Sequence, residues 1–483
     1  MKIKIKIMLA VLCFQFGISA SAYDFEIDGI YYEIVSFDDW TCRIVSGDVV
    51  YTGDIVIPNE VTYNGRTLKV TEIGDDAFNG CADLKTLSIE DGTETLSLGS
   101  SNGTNALFSD CSLETLYVGR NLSYEKIYSP FYEEESLLTK VTIGPYVTEI
   151  GDYMFYGCTG LTEVTIPSSV VEIGEDAFSG CTGLSNITIP NSVKSIDGNA
   201  FSGCTGLSNI TIPNSVKSIG NNAFSGCTSL TEMIIPNSVN EINEGIFKGC
   251  TNLRRLIVED GAEELQWNCY FNFSDGRPFS GTSLETLYLG RNLVNDNDSP
   301  FSFIESLKDV TIGNSVERIS NYAFCGCTGL TKITIPNSVT EIGHESFYGC
   351  TGLTEITISN SVTEIGYQTF AGCSNLKTIY SLNLQPPTYD IFFDPAFEQT
   401  CYSSAVLYVP IGSLNAYQTT IPWSNFGNIQ EFDPVTGIDN TKMEVEAENE
   451  ETTIYDLQGR RLSRSQRGIN IINGKKVLVT SHK

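Results

Sequence analysis

Histidine is nearly missing from this 483-residue chain. Only two are present, His344 just after Gly343 and His482 next to the C-terminus. Where His344 stands, neighbouring copies of a repeat carry Glu175 and Asn221, so it reads as a solvated turn residue. Imidazole-based acid–base or nucleophilic chemistry has almost nothing to draw on. Basic residues are scarce too: 29 lysines and arginines face 59 aspartates and glutamates, a formal charge of −30. Such a surface repels phosphate backbones and anionic membranes, which argues against nucleic acid as a partner. No apolar run after Ile18 is long enough to span a bilayer. The cysteines lack the paired C-x-x-C spacing of a structural zinc site.

What the chain has in abundance is repetition. Cys158, Cys181, Cys204, Cys227 and Cys250 follow one another every 23 residues, each closing a restatement of the same segment. A fixed period of this size carrying L-x-x-[VI]-x-I is the mark of a leucine-rich-repeat solenoid, in which each coil must stack on its neighbours to bury an apolar face. In one unit, Val164 and Ile166 alternate with polar residues as a half-buried strand requires, and Pro167 ends the strand because it lacks an amide. Val170 and Ile173 return to the core through a second short extended segment, and Gly174 turns the backbone without a Cβ clash. Ala177, Phe178 and Cys181 close the coil. The Phe-x-Gly-Cys corner occurs nine times, ending at Cys81, Cys158, Cys181, Cys204, Cys227, Cys250, Cys327, Cys350 and Cys373. The expected fold is a β-rich, right-handed stack of about fifteen short-strand coils, on the order of 70 Å long at roughly 4.8 Å per coil.

The ends of the chain depart from the period. Met1–Ala22 combines three lysines, an apolar run from Ile7 to Ile18 and Ala20-Ser21-Ala22 before Tyr23, the pattern of a cleaved secretory signal peptide. Lipidation at Cys13 is disfavoured by the bulky Leu12 before it. Residues 23–51 read as short alternating strands forming an N-terminal cap, which an open solenoid end needs. The solenoid is expected over 52–410 and a C-terminal cap over 411–434, with Ser413 capping a helix from Leu414 to Tyr417 and with Trp423, Phe426 and Ile429 closing the last apolar face. An acidic linker over 435–453 then leads to a small β unit over 454–483 with an Asn473-Gly474 hairpin turn.

A larger duplication lies over the simple repeat. The intervals Cys81–Cys158 and Cys250–Cys327 both span 77 residues and share words: Ser112-Leu-Glu-Thr-Leu-Tyr117 with Ser283-Leu-Glu-Thr-Leu-Tyr288, Gly119-Arg-Asn-Leu122 with Gly290-Arg-Asn-Leu293, and Ser129-Pro-Phe131 with Ser299-Pro-Phe301. These expanded coils are expected to push loops outward. They carry Tyr124, Tyr128, Phe131 and Tyr132 in the first copy and Trp267, Tyr270, Phe271 and Phe273 in the second. Clustered aromatics on loops suit a recognition patch; equally, they fold back to cover a wider coil. The outward strand positions form a row of threonines flanked by polar residues, and Arg254, Arg255 and Lys332 interrupt it with positive charge.

In an oxidising compartment the remaining cysteines invite disulfides, but parallel ladder thiols rarely meet the dihedral requirement, so reduced core thiols are expected. Cys42, Cys269 and the Cys325-Gly-Cys327 pair are the places for exceptions. Calcium at Asn295–Asp298 or Glu259-Asp260 lacks the spaced ligand set of a known loop, so no metal, cofactor or catalytic residue is assigned.

The repeat Ile335-Pro-Asn-Ser-Val-Thr-Glu-Ile-Gly343 through Phe347, Gly349-Cys350 and Thr354 resembles the BspA-like leucine-rich-repeat proteins of the Treponema pallidum type, abundant in Bacteroides and relatives. The resemblance covers roughly Gly53 to Val409. The C-terminal words Tyr455-Asp-Leu-Gln-Gly-Arg-Arg-Leu462 and Gly468-Ile-Asn-Ile-Ile-Asn-Gly-Lys-Lys-Val-Leu-Val479 resemble sorting or anchoring segments of exported Bacteroidetes proteins. The resemblance implies a non-catalytic cell-surface, outer-membrane or secreted protein that binds a host or bacterial protein or a glycan. An envelope scaffold is the other reading.

Overall fold

Because apolar residues alternate with polar ones over four positions and then stop at a proline or glycine, each repeat forms only a brief strand, too short to persist without neighbours on both sides. The computed structural model describes residues 23–99, 107–108, 110–125, 129–131, 137–269, 277–294, 299–389 and 395–433, with the strands Ile454–Tyr455, Arg461–Leu462, Gly468–Ile472 and Lys475–Val479. The first strand of every coil pairs in parallel with its equivalents, in sheets of five, two and nine strands that run from Gly53–Ile57 to Ile429–Phe432. This row therefore extends one strand beyond the coil ending at Pro410. A second row of two- and three-residue strands lines another side of the stack, with Ile150, Ile173, Ile196, Ile219 and Ile242 in unbroken register.

Between the rows runs a spine of phenylalanines. Phe155, Phe178, Phe201 and Phe224 stack with ring centroids 5.4 to 5.6 Å apart. Phe108, Phe131, Phe279, Phe301 and Phe397 continue the spine through coils that lack the Phe-x-Gly-Cys corner. Burying one such ring is worth about 1.5–3 kcal/mol. Behind each ring a corner thiol donates to a phenylalanine carbonyl of the preceding coil, Cys181 to Phe155 and Cys204 to Phe178 at 3.1 Å. The corner glycines adopt positive φ, +76° at Gly180 and +70° at Gly203, and this backbone conformation is what suits the row to glycine, since a Cβ on Gly203 would make only an ordinary 3.7 Å contact with the Gly180 Cα. Gly174 is different: its φ is ordinary, but a Cβ would meet Asp152 Oδ1 at 2.5 Å, so close approach demands glycine there.

Phe25–Ile27, Ile30–Ser36 and Thr41–Val45 form an antiparallel sheet whose last strand pairs in parallel with Arg66–Ile73 of the first coil. At the other end Tyr417 and Trp423 are buried, Trp423 Nε1 donating to Pro387 O at 2.9 Å. The expected helix is present as Leu414–Thr419, but Ser413 does not cap it. Ser413 has helical φ and ψ, and its hydroxyl turns back to Pro410 O at 2.6 Å. The Glu431 carboxylate accepts from Leu414 N instead, at 3.4 Å. In the C-terminal segment, Gly468–Ile472 pairs antiparallel with Lys475–Val479, with Ile472 opposite Lys475.

Candidate recognition surface

Alternation along each strand of the first row turns every second side chain outward, and parallel register arranges those side chains in columns along the stack. One column carries charge in complementary neighbours: Lys140 pairs with Glu163 at 2.8 Å, Arg255 with Glu232 at 3.0 Å, and Lys332 with Glu355. Beside it Glu285 lies between Lys308 at 3.3 Å and Arg254 at 2.7 Å, and these two cations hold its carboxyl below the usual range. All these pairs are largely exposed, so each adds at most about 1 kcal/mol. The next column is the threonine row, with Thr142 beside Thr165, Thr188 beside Thr211 and Thr334 beside Thr357. Tyr117, Ile234, Ile257, Tyr288, Tyr380 and Tyr408 occupy the same column.

The residues singled out in the expanded coils do not form one patch. Phe131 is 5% exposed and belongs to the phenylalanine spine. Trp267 is 1% exposed, packed 5.4 Å from Phe301 and 5.9 Å from Phe279. Tyr124 is half-buried with its hydroxyl donating to Asp152 O at 2.8 Å, and burial pushes its phenol well above the ordinary value. These three fold back to fill the widened coils, as large rings must where the core is broader. Arg254 and Arg255 reach solvent, in the ion pairs above. Tyr128, Tyr132, Tyr270, Phe271 and Phe273 lie outside the described residues, as does Asn295–Asp298. Glu259 accepts from Asn237 N at 3.2 Å and Asp260 accepts from the Tyr288 hydroxyl at 2.8 Å. Among the described residues no group of three or more His, Cys, Asp or Glu is placed to hold a metal. His344 is not simply solvated: its ring stacks on Tyr367 at 4.2 Å and Nδ1 accepts from Tyr367 N at 3.2 Å.

Two features escaped the sequence reading. The first is a pair of buried arginines inside the duplicated Gly-Arg-Asn-Leu words. Arg120 donates to Val70 O at 3.0 Å and Pro58 O at 3.2 Å; Arg291 donates to Asn237 O at 3.1 Å and Pro236 O at 3.0 Å. Burial lowers both guanidinium pKa values. The repetition of the word was the available signal. The second is an aromatic cluster at the C-terminal end of the outward strand face. Tyr380 and Tyr408 stack at 5.0 Å, and Phe432 meets them edge-on at 5.3 and 6.2 Å. All three rings are half-exposed. Tyrosine at a threonine-row position was the clue.

None of the fourteen cysteines among the described residues forms a disulfide. Burial pushes the thiols of Cys204, Cys250, Cys327 and Cys373 up to about 12. Cys81 departs the other way, because hydrogen bonding with the Cys111 thiol lowers it. Iodoacetamide applied to the folded chain is expected to modify the half-buried Cys269 well ahead of the buried Cys81, because the reagent must reach the sulfur before its ionisation matters. Peptide mapping after timed quenching checks this; equal rates at the two sites contradict it.

A family model described as BspA type leucine rich repeat region, in six copies, matches residues 59–185, 148–277 and 295–411, more than half of the chain. The chain belongs to the BspA-type leucine-rich-repeat family. Among solved structures it is similar to a leucine-rich repeat protein from Bacteroides ovatus, at 27% identity over 74% of this chain and 94% of that one, with a TM-score of 0.47. It is also similar to a leucine rich cell surface protein from Faecalibacterium prausnitzii, at 24% identity over 75% of this chain and 96% of that one, TM-score 0.32. A Treponema pallidum leucine rich repeat protein matches at 24% identity over 50% of this chain and 85% of that one, TM-score 0.27. No curated protein matches the chain. The BspA-type repeat region points to binding or recognition as the role of the molecule. Among the described residues no helix is long and apolar enough to cross a membrane.

Proposed function

We propose that this BspA-type chain is an exported, non-catalytic binding protein, displayed at the cell surface or secreted, that recognises a protein or glycan through the outward face of its first strand row. One observation carries the reading: sixteen parallel strands, in three successive sheets of five, two and nine, turn rows of threonine and paired charges toward solvent. Their acidic, regular texture suits extended contact with a macromolecule and disfavours nucleic acid. Tyr128, Tyr132, Tyr270, Phe271 and Phe273 of the duplicated intervals would add to that contact.

Capture of host matrix proteins and of bacterial envelope fractions, with protease shaving of intact cells, tests the reading. Arg254→Ala with Arg255→Ala is expected to shift stability by less than about 1 kcal/mol, since both pairs are exposed, while weakening capture several-fold. Unchanged capture by that variant would move the contact away from this part of the face. Capture of envelope fractions alone would favour the scaffold reading.

A further inference from the structure

The terminal strand Ile429–Phe432 is the last of the first row. It pairs in parallel with Val406–Pro410, and among the described residues nothing pairs with its outer side. Leu407 N donates to Asn428 O at 3.0 Å and Ile411 N to Phe432 O at 3.2 Å, so the even-numbered residues face the neighbouring strand. Parallel geometry then directs the amides and carbonyls of Ile429 and Glu431 outward.

Natural sheet edges are usually blunted by lysine, proline, a bulge or an inward-pointing charge. This strand, Ile-Gln-Glu-Phe, has no lysine or proline, and its register with Val406–Pro410 is unbroken. Its one charge is the exposed Glu431, whose carboxylate accepts from Gly412 N at 2.7 Å and leaves the edge negative, as a cationic partner requires. Immediately beside the edge stand the half-exposed rings of Phe432, Tyr408 and Tyr380. Donors and acceptors repeating every two residues, at roughly 6.6 Å, match a polypeptide backbone and not a sugar chain or a lipid surface. Charge narrows the class further. Residues 23–433 hold 52 acidic against 18 basic side chains, and two of the basic ones, Arg120 and Arg291, are buried. Lysine and arginine are favoured over such a field, and the exposed rings offer them cation–π contact.

We infer that the open edge at Ile429–Phe432 is a strand-addition site for an extended, lysine- or arginine-bearing polypeptide, whose alternate side chains pack on Phe432 and Tyr408. The inference rests on the recognition role proposed above and assigns it a partner class and a place.

The test uses the full mature chain with a ten-residue peptide of alternating lysine and valine, followed by calorimetry. The expected result is saturable binding that falls at least tenfold when alternate peptide nitrogens are methylated. Methylation leaves the peptide's charge intact and deletes only backbone donors. Phe432→Ala and Tyr408→Ala are each expected to weaken binding about fivefold without changing the far-ultraviolet circular dichroism. Equal affinity for the methylated peptide, preference for cellohexaose, or an edge filled by a second copy in sedimentation runs would each overturn the inference. A chain that still captures macromolecules yet ignores the peptide sinks this inference alone, whereas one that captures nothing sinks the broader reading.

Discussion

Phe201→Ala is expected to lower the stability of the solenoid by about 4 kcal/mol, the range for a fully enclosed ring removed from a core that cannot collapse. Phe201 has no exposed surface and lies between Phe178, at 5.4 Å and 5° between planes, and Phe224, at 5.6 Å and 1°. The backbone around it cannot relax inward, because Phe201 N donates to Ala223 O and Ser202 N to Asn199 O, each at 2.8 Å. A stack in which each coil touches only its neighbours has no other route for coupling its halves, so a defect at this central coil also weakens cooperativity. The chain offers its own reporters: Trp40 lies just before the strand Thr41–Val45, Trp267 in the core of an expanded coil and Trp423 beside the last strands. Urea unfolding followed by tryptophan fluorescence and circular dichroism should show an earlier, broader transition, and Phe201→Leu should recover more than half of the loss. A single transition at the original midpoint would mean that the spine is not what ties the coils together.

Arg291→Ala should be the next most damaging change, at about 3 kcal/mol. The side chain is 0% exposed and its two terminal nitrogens serve the carbonyls of Pro236 and Asn237, in the coil that precedes the expansion. Two effects oppose each other on its removal. Losing an enclosed charge relieves desolvation, whereas taking a charged donor from the Pro236 and Asn237 carbonyls, of which Pro236 O keeps its bond from Val239 N at 3.1 Å, and leaving a cavity beneath Gly261 costs more. Gly261 makes the site specific, since a Cβ there would come within 3.3 Å of the Arg291 Cδ. Arg291→Met separates the terms, because it fills the space and donates nothing; about 2 kcal/mol should remain. The same pair of substitutions at Arg120 should give the same ordering. Thermal melts of the four variants decide it, and a methionine variant as stable as the parent would show that the carbonyls find other donors.

Much of the fold was legible because it is written many times over. A single L-x-x-[VI]-x-I segment is weak evidence for a strand, but copies every 23 residues leave one arrangement that buries all of them. The aromatic residues of the expanded coils were harder. Phe131 and Tyr132 are adjacent in a stretch with no repeat to align, so nothing local says that Phe131 joins the spine. The duplicate word Ser299-Pro-Phe301 held the answer: Ser129 and Ser299 both donate to a carbonyl of the next coil at 2.8 Å, fixing each following phenylalanine inside. Ser413 failed as a cap for a similar reason, because the hydroxyl that looked free to serve Leu414–Thr419 was claimed by Pro410.

Periodicity by itself determined the stack, the two strand rows, the buried corner thiols and the acidic surface, since each follows from what one coil repeats. Which aromatics face inward, where two arginines spend their hydrogen bonds, and that Tyr380, Tyr408 and Phe432 converge beside an unpaired edge were decided only by tertiary structure. Residues brought together across 24 and 28 positions have no local rule relating them; register between coils places them side by side, and register is a property of the whole stack.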